Sequence, residues 1–220
     1  MRKENKMKIL AIGKQPGEVE QLVGGSVAKY VEGGSNVIIC SVTNGSKNKD
    51  ESTRLKRMAE GSRAANFLGA KYTTLDIDLD ELDENDTTQV DKLYTLINSI
   101  GVDIIISPPM TEANSVNDLL FRALDKVSNK EIKLYHADRF DGIESGVDLF
   151  IDISDYLEKK IESLTIHISQ VEILRKSKQM NILHNVEVVA SYRGLRIGTR
   201  FAEGFKASDT YGLESSNLLT

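Results

Sequence analysis

The sequence predicts an α/β fold built on a doubly wound, mostly parallel sheet, with additional helices towards its C-terminal end. Short continuous apolar runs, typical of strands covered on both faces, alternate with segments of helical periodicity up to about residue 153. From residue 154 the pattern changes to long helical segments, which we expect to pack across the sheet. We see no linker and no internal repeat. The prediction is therefore a single Rossmann-like domain over residues 1–220, with a flexible tail at 1–6 and a C-terminal tail at 206–220.

The first half of the chain contains three predicted strands and two predicted helices. Apolar runs predict strands at Lys8–Gly13, Asn36–Thr43 and residues 72–77. A helix is predicted at Glu18–Glu32, where a glycine pair follows as a stop signal. A second helix is predicted at residues 53–68. Its expected buried face comprises Leu55, Met58, Ala59, Ser62 and Ala65.

The second half continues the alternation after an acidic segment at residues 78–87. We interpret that segment as a solvated loop, because its carboxylates do not follow the spacing of a calcium loop. Right-handed crossovers would place helices on both faces of the sheet. The predicted strands are residues 102–107, 133–136 and 149–153, and the predicted helices are 89–100, 115–127, 155 to about 177, and 182–192.

Composition excludes several classes of function. The formal net charge is −5 and no basic cluster stands out, so we expect no nucleic-acid partner. No apolar run reaches the roughly 20 residues of a membrane span, and the first residues are polar rather than signal-like. We therefore expect a cytoplasmic protein with no membrane partner. The single cysteine, Cys40, lies in a predicted strand and is expected to be a small buried residue.

Topology alone locates a candidate site. In doubly wound sheets, ligands bind beyond the carboxyl ends of the strands, where the strand order reverses. The loops at residues 13–17 and 108–117 follow the first and fourth predicted strands and are the natural candidates. Neither Gly-x-Gly-x-x-Gly nor a P-loop follows the first strand, so no nucleotide cofactor is indicated. Gly24 and Gly25 are interpreted as positions of close helix packing.

Five sequence fragments resemble one known family. Residues 14–20 are Lys-Gln-Pro-Gly-Glu-Val-Glu, and residues 24–26 are Gly-Gly-Ser. They resemble the zinc motif His-Pro-Asp-Asp-Val-Glu, followed by Gly-Gly-Thr, of the PIG-L/LmbE de-N-acetylase family. Further similarity lies around Arg57-x-x-Glu60 and in residues 152–170 and 192–205. The chain most resembles the small bacterial branch that deacetylates N-acetylglucosamine conjugates, which implies a PIG-L/LmbE-like fold.

The resemblance implies a degenerate catalytic centre. In the family, the first motif's His and second Asp bind zinc, and its first Asp is the general base. A second motif, His-x-Asp-His, supplies a transition-state His and the third zinc ligand. The corresponding residues here are Gln15, Gly17, Glu18, Asn114 and Asn117. Amide oxygens are poor zinc ligands compared with imidazole, and glycine accepts no proton, so we expect no catalytic residue, no bound zinc and no other cofactor.

A polar ligand is nevertheless expected in this region. Arg57, Arg193, Glu18 and Glu112 are the predicted ligand-binding residues, the two arginines because guanidinium groups suit hydroxyl, carboxylate or phosphate groups. An alternative for Arg57 is an ion pair with Glu60 on the same helix face. The three histidines of the chain are expected to have packing or surface roles: His136, His167 and His184.

These observations favour a non-hydrolytic pseudo-deacetylase that binds an amino-sugar-like molecule or a protein partner. One alternative is an active hydrolase that deacetylates an N-acetylated amino-sugar conjugate through a divergent site. Glu18 could then act as a metal-free acid or base. A hard cation could instead bind Glu18, Glu20, Glu112 and Asp118. Another alternative is a structural subunit of an oligomer, either a homo-oligomer or an assembly with an active paralogue.

Overall fold

The chain is described by a computed structural model over residues 6–110, 114–128, 131–141, 146–178 and 181–209. The described residues form one seven-stranded sheet. Its strands are β1 (Lys8–Gly13), β2 (Asn36–Thr43), β3 (Lys71–Ile77), β4 (Ile104–Ser107), β5 (Lys133–Ala137), β6 (Leu149–Asp152) and β7 (Ala202–Ala207). The helices are α1 (Glu18–Glu32), α2 (Glu51–Phe67), α3 (Thr87–Ile100), α4 (Ser115–Lys126), α5 (Leu157–Thr165), α6 (Ile168–Lys178) and α7 (Ile182–Ile197).

The sheet confirms the predicted fold class. Its strand order is β3-β2-β1-β4-β5-β7-β6, and the strands from β3 to β5 are parallel. The order reverses between β1 and β4, so the loops after these strands lie side by side at the carboxyl edge. In the described part of the chain, no helix combines the length and apolar character needed to cross a membrane.

Both faces of the sheet are covered, as the continuous apolar strands predict. Along β1, Ile9 and Ala11 point to the face covered by α1 and α5, whereas Leu10 and Ile12 point to the face covered by α3 and α4. All four side chains are buried. The two apolar layers hold the sheet rigid beneath its polar carboxyl edge.

The strand β7 was not predicted. Its sequence, Ala-Glu-Gly-Phe-Lys-Ala, lacks an apolar run, yet it lies between β5 and β6 and pairs antiparallel with both. The expected C-terminal tail at residues 206–220 also begins too early. β7 continues to Ala207, and the Ser208 amide donates to the Leu134 carbonyl at 2.9 Å. Residues 210–220 and most of the predicted N-terminal tail, residues 1–5, lie outside the described residues.

Two helix predictions differ from the structure. The single helix expected from residue 155 is divided into α5 and α6 by a turn at Ile166 and His167. The predicted buried face of α2 is also wrong, because Leu55 is 57% exposed while Arg57 and Glu60 are buried. Those two polar side chains bind neighbouring loops and helices, and apolar periodicity does not detect such contacts.

A kink divides α1, and a buried ion pair binds the backbone groups on either side of it. Val23 has φ −137° and ψ 21°, outside the helical region. Lys160 of α5 donates to the Leu22 carbonyl at 3.0 Å and forms an ion pair with Glu203 of β7. The Glu203 carboxylate also accepts from the backbone amides of Gly25 and Ser26, at 3.0 and 2.7 Å. These side chains therefore satisfy backbone groups that the helix leaves unpaired.

The glycine pair in α1 permits close packing, as expected from the sequence. A Cβ atom on Gly25 would lie 2.8 Å from Cδ1 of Ile153, which follows β6. A Cβ atom on Gly24 would lie 3.3 Å from Cγ of Lys160. Glycine lets α1 approach the β6–α5 segment at a distance that any side chain would increase.

Candidate functional site

A cavity of about 350 Å³ opens at the carboxyl edge of the sheet. The loops after β1, β4 and β5 form one side of it, and α5, α6 and α7 contribute the other. Its polar lining comprises Gln15, Glu18, Gln21, Asn114, Arg139, Asp141, His167 and Gln170. Its apolar lining includes Pro16, Leu22, Pro109, Phe140, Leu164, Val171, Leu174 and Ile182. The cavity lies where the topology predicted a site.

Gln15 is held in the first loop by a buried arginine. Nη1 of Arg57 lies 3.3 Å from Oε1 of Gln15 and also donates to the Gly45 carbonyl. Arg57 is only 7% exposed, and burial lowers the pKa of its guanidinium while the nearby Glu60 carboxylate opposes that shift. Arg57 is not among the lining residues of the cavity. Its contacts in this structure position the loop that carries Gln15.

Glu60 connects α2 to the far wall of the cavity. Its Oε1 accepts from the Ser169 amide at 3.1 Å, and its Oε2 accepts from the Ser169 hydroxyl. These bonds fix the first turn of α6 against α2. The fragment Arg57-x-x-Glu60 therefore holds two opposite walls, through Gln15 on one side and Ser169 on the other.

Glu18 lies at the start of α1 and lines the cavity. Its carboxylate accepts a hydrogen bond from the Lys14 backbone amide. Burial raises the pKa of this carboxyl above its ordinary value, although the hydrogen bond from Lys14 and the charge of that residue act in the opposite direction. Because burial dominates, Glu18 retains a proton to higher pH than an exposed glutamate does.

Asn114 and Asn117 both position the loop after β4. Nδ2 of Asn114 donates to the Pro109 carbonyl at 3.0 Å, and its Oδ1 accepts from the Val116 amide at 3.2 Å, which caps α4. Nδ2 of Asn117 donates to the carbonyls of Pro108 and Pro109, at 3.2 and 3.1 Å. Oδ1 of Asn117 is buried and has no hydrogen-bond partner in the described part of the chain. Glu112, also predicted as a ligand-binding residue, lies outside the described residues.

The donor set at the family's zinc positions does not fit zinc. It would consist of two amide oxygens, from Gln15 and Asn117, and the Glu18 carboxylate, without the imidazole or thiolate that zinc prefers. The Gln15 oxygen also lies beside the Arg57 cation. Over the described ranges, no group of three or more His, Cys, Asp or Glu side chains is arranged to hold a metal ion. Of the acidic residues considered for a hard cation, Glu20 instead faces His167 and Asp118 is exposed on α4.

Arg193 holds the loop after β5. Its Nε donates to Oδ2 of Asp138 at 2.9 Å, and its Nη2 donates to the Arg139 carbonyl. Arg193 is buried and is absent from the cavity lining. Its contacts in this structure support Arg139 and Phe140, which do line the cavity.

Several lining residues were not singled out in the sequence. Four of them lie at helical spacing along one side of α6 and the residue before it: His167, Gln170, Val171 and Leu174. That spacing was visible, but nothing in the sequence showed that α6 begins a new helix at this point. Arg139 and Phe140 could have been found in the loop that follows β5, because the argument that placed the site after β1 and β4 applies equally to the neighbouring parallel strand β5.

The histidines have three different environments. His136 is buried in β5, where its Nδ1 lies 2.7 Å from Oγ of Ser107, and burial lowers its pKa to about 4. His184 is exposed in the first turn of α7. These two agree with the predicted packing and surface roles. His167 is buried and contributes to the wall of the cavity, so its position goes beyond packing alone.

The cavity lies at the switch point of the parallel strands, which is where α/β sheets of this kind commonly bind their ligands. The model of the family PIG-L, GlcNAc-PI de-N-acetylase, matches residues 16–118 of the chain. That segment begins directly after Gln15 and contains the other four positions that correspond to the family's two motifs: Gly17, Glu18, Asn114 and Asn117. The match covers slightly less than half of the chain, and over this segment the chain is similar to the PIG-L/LmbE-like family.

Solved structures share this fold. N,N′-diacetylchitobiose deacetylase from Pyrococcus horikoshii has a TM-score of 0.71 and 21% identity, over 93% of this chain and 84% of its own. A conserved protein from Thermus thermophilus has a TM-score of 0.72 and 19% identity, over 91% and 94%. The 4-carboxy-2-hydroxymuconate hydratase of Pseudomonas putida has a TM-score of 0.77 and 16% identity, over 96% and 99%. At these identities the similarity establishes the fold, which carries more than one reaction.

Proposed function

We propose that this chain is a non-hydrolytic member of its family that binds a hydroxyl-bearing, sugar-like small molecule in the cavity. The observation that carries the proposal is the amide-rich lining at the family's catalytic position. Gln15, Gln21, Asn114 and Gln170 contribute amide side chains there. Amides both donate and accept hydrogen bonds, which matches the hydroxyl groups of a sugar. Phe140 and the aliphatic lining supply apolar surface for its carbon-bound faces.

The same lining argues against the family's hydrolytic reaction. Gly17 has no group that could take a proton from water, and loss of a general base alone typically costs about 10²–10⁴-fold in rate. The replaced zinc ligands would remove Lewis-acid activation as well. We therefore expect no acetate release from N-acetylglucosamine conjugates above background. Robust release that follows the protein through purification would contradict this part of the proposal.

Metal analysis tests the expected absence of zinc. Protein expressed with added zinc should contain far less than one zinc per chain, because neither Gln15 nor Asn117 supplies an imidazole. The measurement is elemental analysis of the purified chain, with Glu18→Ala as the comparison. One tightly held zinc per chain that disappears in Glu18→Ala would show that the site retains its metal.

A ligand screen tests the binding proposal. Amino sugars, N-acetylated amino sugars, sugar phosphates and hydroxy acids should be compared by thermal shift and then by calorimetry. Gln170→Ala removes a cavity amide, and Asn66→Ala removes an exposed amide on α2 as the matched control. We expect sugars to bind the parent chain and Asn66→Ala equally, and Gln170→Ala more weakly. If no compound binds the parent chain, the binding proposal fails.

Arg57→Ala and Arg193→Ala extend the screen. The sequence suggested both arginines as direct ligand contacts, but their contacts in the structure support positioning roles. We expect weaker binding in both variants through displacement of Gln15 and Arg139, together with a loss of stability. Unchanged binding in Arg57→Ala would remove that arginine from the site altogether.

A second candidate function is metal-free acid–base catalysis through Glu18. The raised pKa of its carboxyl, caused by burial at the cavity wall, is the observation that favours it. The existence of a hydratase with this fold shows that deacetylation is not the fold's only reaction. Turnover of any ligand from the screen, lost in Glu18→Gln but retained in Asn66→Ala, would establish an enzyme in place of a binding protein.

Assembly and location belong to the proposal as well. We propose a cytoplasmic protein that forms a homo-oligomer, with association to an active paralogue as the alternative. Exposed apolar side chains on α7, including Val188 and Leu195, support self-association. Light scattering coupled to size exclusion measures the molar mass directly, and a monomeric mass at micromolar concentration would contradict the homo-oligomer.

A further inference from the structure

Arg139 brings a fixed positive charge to the wall of the cavity. Among the described residues that line the cavity, it is the one arginine or lysine. The lining also contains two carboxyl groups: Asp141, which pairs with Arg139, and Glu18, which lies at the start of α1. The side chain of Arg139 is 36% exposed, so a molecule in the cavity can reach its guanidinium group.

A buried ion pair holds the backbone of Arg139 from both sides. The Arg139 amide donates to Oδ1 of Asp138 at 2.8 Å, and the Arg139 carbonyl accepts from Nη2 of Arg193. Asp138 and Arg193 also bind each other, with Nε of the arginine 2.9 Å from Oδ2 of the aspartate, and they are 5% and 6% exposed. The Asp138 amide donates to the Gly204 carbonyl at 2.9 Å, which ties this loop to β7. The guanidinium of Arg139 is therefore carried by a backbone that the fold itself fixes.

The guanidinium of Arg139 has one edge in use and one edge open. Nε donates to Oδ1 and Oδ2 of Asp141 at 3.0 and 3.2 Å, and Nη2 donates to Oδ2 at 2.5 Å. A guanidinium also carries two N–H groups on Nη1 and a second one on Nη2. Within the described ranges of the chain, these remaining groups have no hydrogen-bond partner. Because both oxygens of Asp141 already accept, the unused hydrogen-bonding capacity here is that of a donor.

We propose that the open Nη1–Nη2 edge of Arg139 binds a carboxylate or phosphate group of the cavity's ligand, which makes that ligand an acidic sugar. This inference rests on the proposed function, because it names the charged group of the small molecule that the cavity takes. Parallel N–H groups on one edge of a guanidinium match two oxygens of a carboxylate or phosphate. Asp141 occupies the other edge and stays in place, and an exposed ion pair of this kind costs little to share. An ammonium group has no acceptor atom and cannot use the open edge.

The first experiment compares glucuronate, glucose 6-phosphate and glucose by calorimetry. In the parent chain, at least one of the two anions should bind with a Kd about tenfold below that of glucose, and the anion that does so identifies the group. Arg139→Gln should abolish that difference, whereas Arg63→Gln, the same change on an exposed arginine of α2, should retain it. Equal Kd values for glucose and both anions in the parent chain would overturn the inference while leaving the proposed function standing. An anion preference that survives in Arg139→Gln would overturn it as well.

Asp141→Asn tests which member of the pair meets the ligand. The substitution keeps the shape of the side chain but removes the negative charge that competes for Arg139. We expect the anion that binds the parent chain to bind Asp141→Asn with a lower Kd. A higher Kd would show that the ligand depends on the carboxylate of Asp141, which would overturn the assignment to Arg139.

A titration with inorganic phosphate separates this inference from the proposed function. Nitrogen-15 NMR of the full chain, labelled at arginine, follows the Nε signals, and the Arg139 signal is assigned by its loss in Arg139→Gln. We expect a saturable shift of the Arg139 signal and no shift of the Arg63 signal. Absence of a saturable shift at Arg139 would overturn the inference even if a neutral sugar binds. If none of the three sugars binds the parent chain, the proposed function fails for these compounds and the phosphate titration decides the inference.

Discussion

The buried ion pair between Lys160 and Glu203 should be the most sensitive polar contact in the fold. Replacing Lys160 by Met removes a hydrogen bond to the Leu22 carbonyl and leaves the Glu203 carboxylate without its counter-charge. Both side chains are at most 3% exposed, so water cannot replace the lost partner. Breaking a buried pair by removing one partner typically costs about 3–5 kcal/mol. The two backbone amides that still bind Glu203 favour the lower end, about 3 kcal/mol.

The adjacent lysine provides a matched control. Lys159 lies on the same helix, and its Nζ is 3.7 Å from Oε2 of Glu32, but both side chains are more than half exposed. Exposed pairs contribute about 0–1 kcal/mol, so Lys159→Met should change the free energy of unfolding by about 0.5 kcal/mol or less. Urea denaturation followed by circular dichroism measures both variants, provided that the m-value is unchanged.

The double variant tests the physical origin of the effect. When Lys160→Met is combined with Glu203→Gln, no buried charge is left without a counter-charge at this position. The double variant should therefore lose less stability than the sum of the losses of the two single variants. Strict additivity would show that the two side chains act independently. A loss below about 1 kcal/mol in Lys160→Met, or an equal loss in Lys159→Met, would refute the reasoning.

Three other changes give measurable outcomes. Gly25→Ala places a Cβ atom 2.8 Å from Ile153, and the resulting overpacking should lower the free energy of unfolding by about 1–3 kcal/mol. Gly33→Ala is the control, because its nearest contacts lie at 3.5 Å and its φ is negative, so it should lower that free energy much less. Equal losses of the two variants in urea denaturation would contradict this prediction. Gly17→Ala should destabilise the chain by about 2 kcal/mol or more, because Gly17 has a positive φ and a Cβ atom there would contact the His167 ring. The loss of stability should be smaller when His167 is also replaced by Ala. An equal loss in that background would show that the ring does not compete for this space. His136 should make stability depend on pH. Burial lowers its pKa from 6.5 to about 4, so between these pH values the unfolded chain binds a proton that the folded chain excludes. The contribution of His136 to the free energy of unfolding is therefore fully present above pH 6.5, and about 3 kcal/mol of it is lost as the pH falls to 4. His136→Gln should flatten that part of the pH profile, and an unchanged slope would rule out His136 as its source.

Local signals determined most of the framework. Continuous apolar runs placed β1 and β2, and the glycine pair at 33–34 marked the end of α1, because burial on both faces and helix termination act on neighbouring residues. These local signals did not predict the polar strand β7. It is stabilised by its place between β5 and β6 and by the contacts of Glu203, which lie more than 40 residues away in the sequence.

The sequence by itself also determined which residue types stand at the positions of the family's zinc motifs. A glycine at position 17 and amides at positions 15 and 117 are facts of composition, and their chemistry does not depend on packing. Topology likewise placed the site at the loops after β1 and β4, since parallel strands bring their carboxyl ends to one edge.

Only the tertiary structure decided what fills the site. Position 167 is 150 residues from position 17, and no periodicity or motif indicates that the imidazole lies against that glycine. The same is true of Arg57 and Arg193, whose buried guanidinium groups bind loops beside the cavity and do not line it. The partners of a long polar side chain depend on which elements the packed sheet brings within a few ångströms, and that arrangement is a property of the whole core.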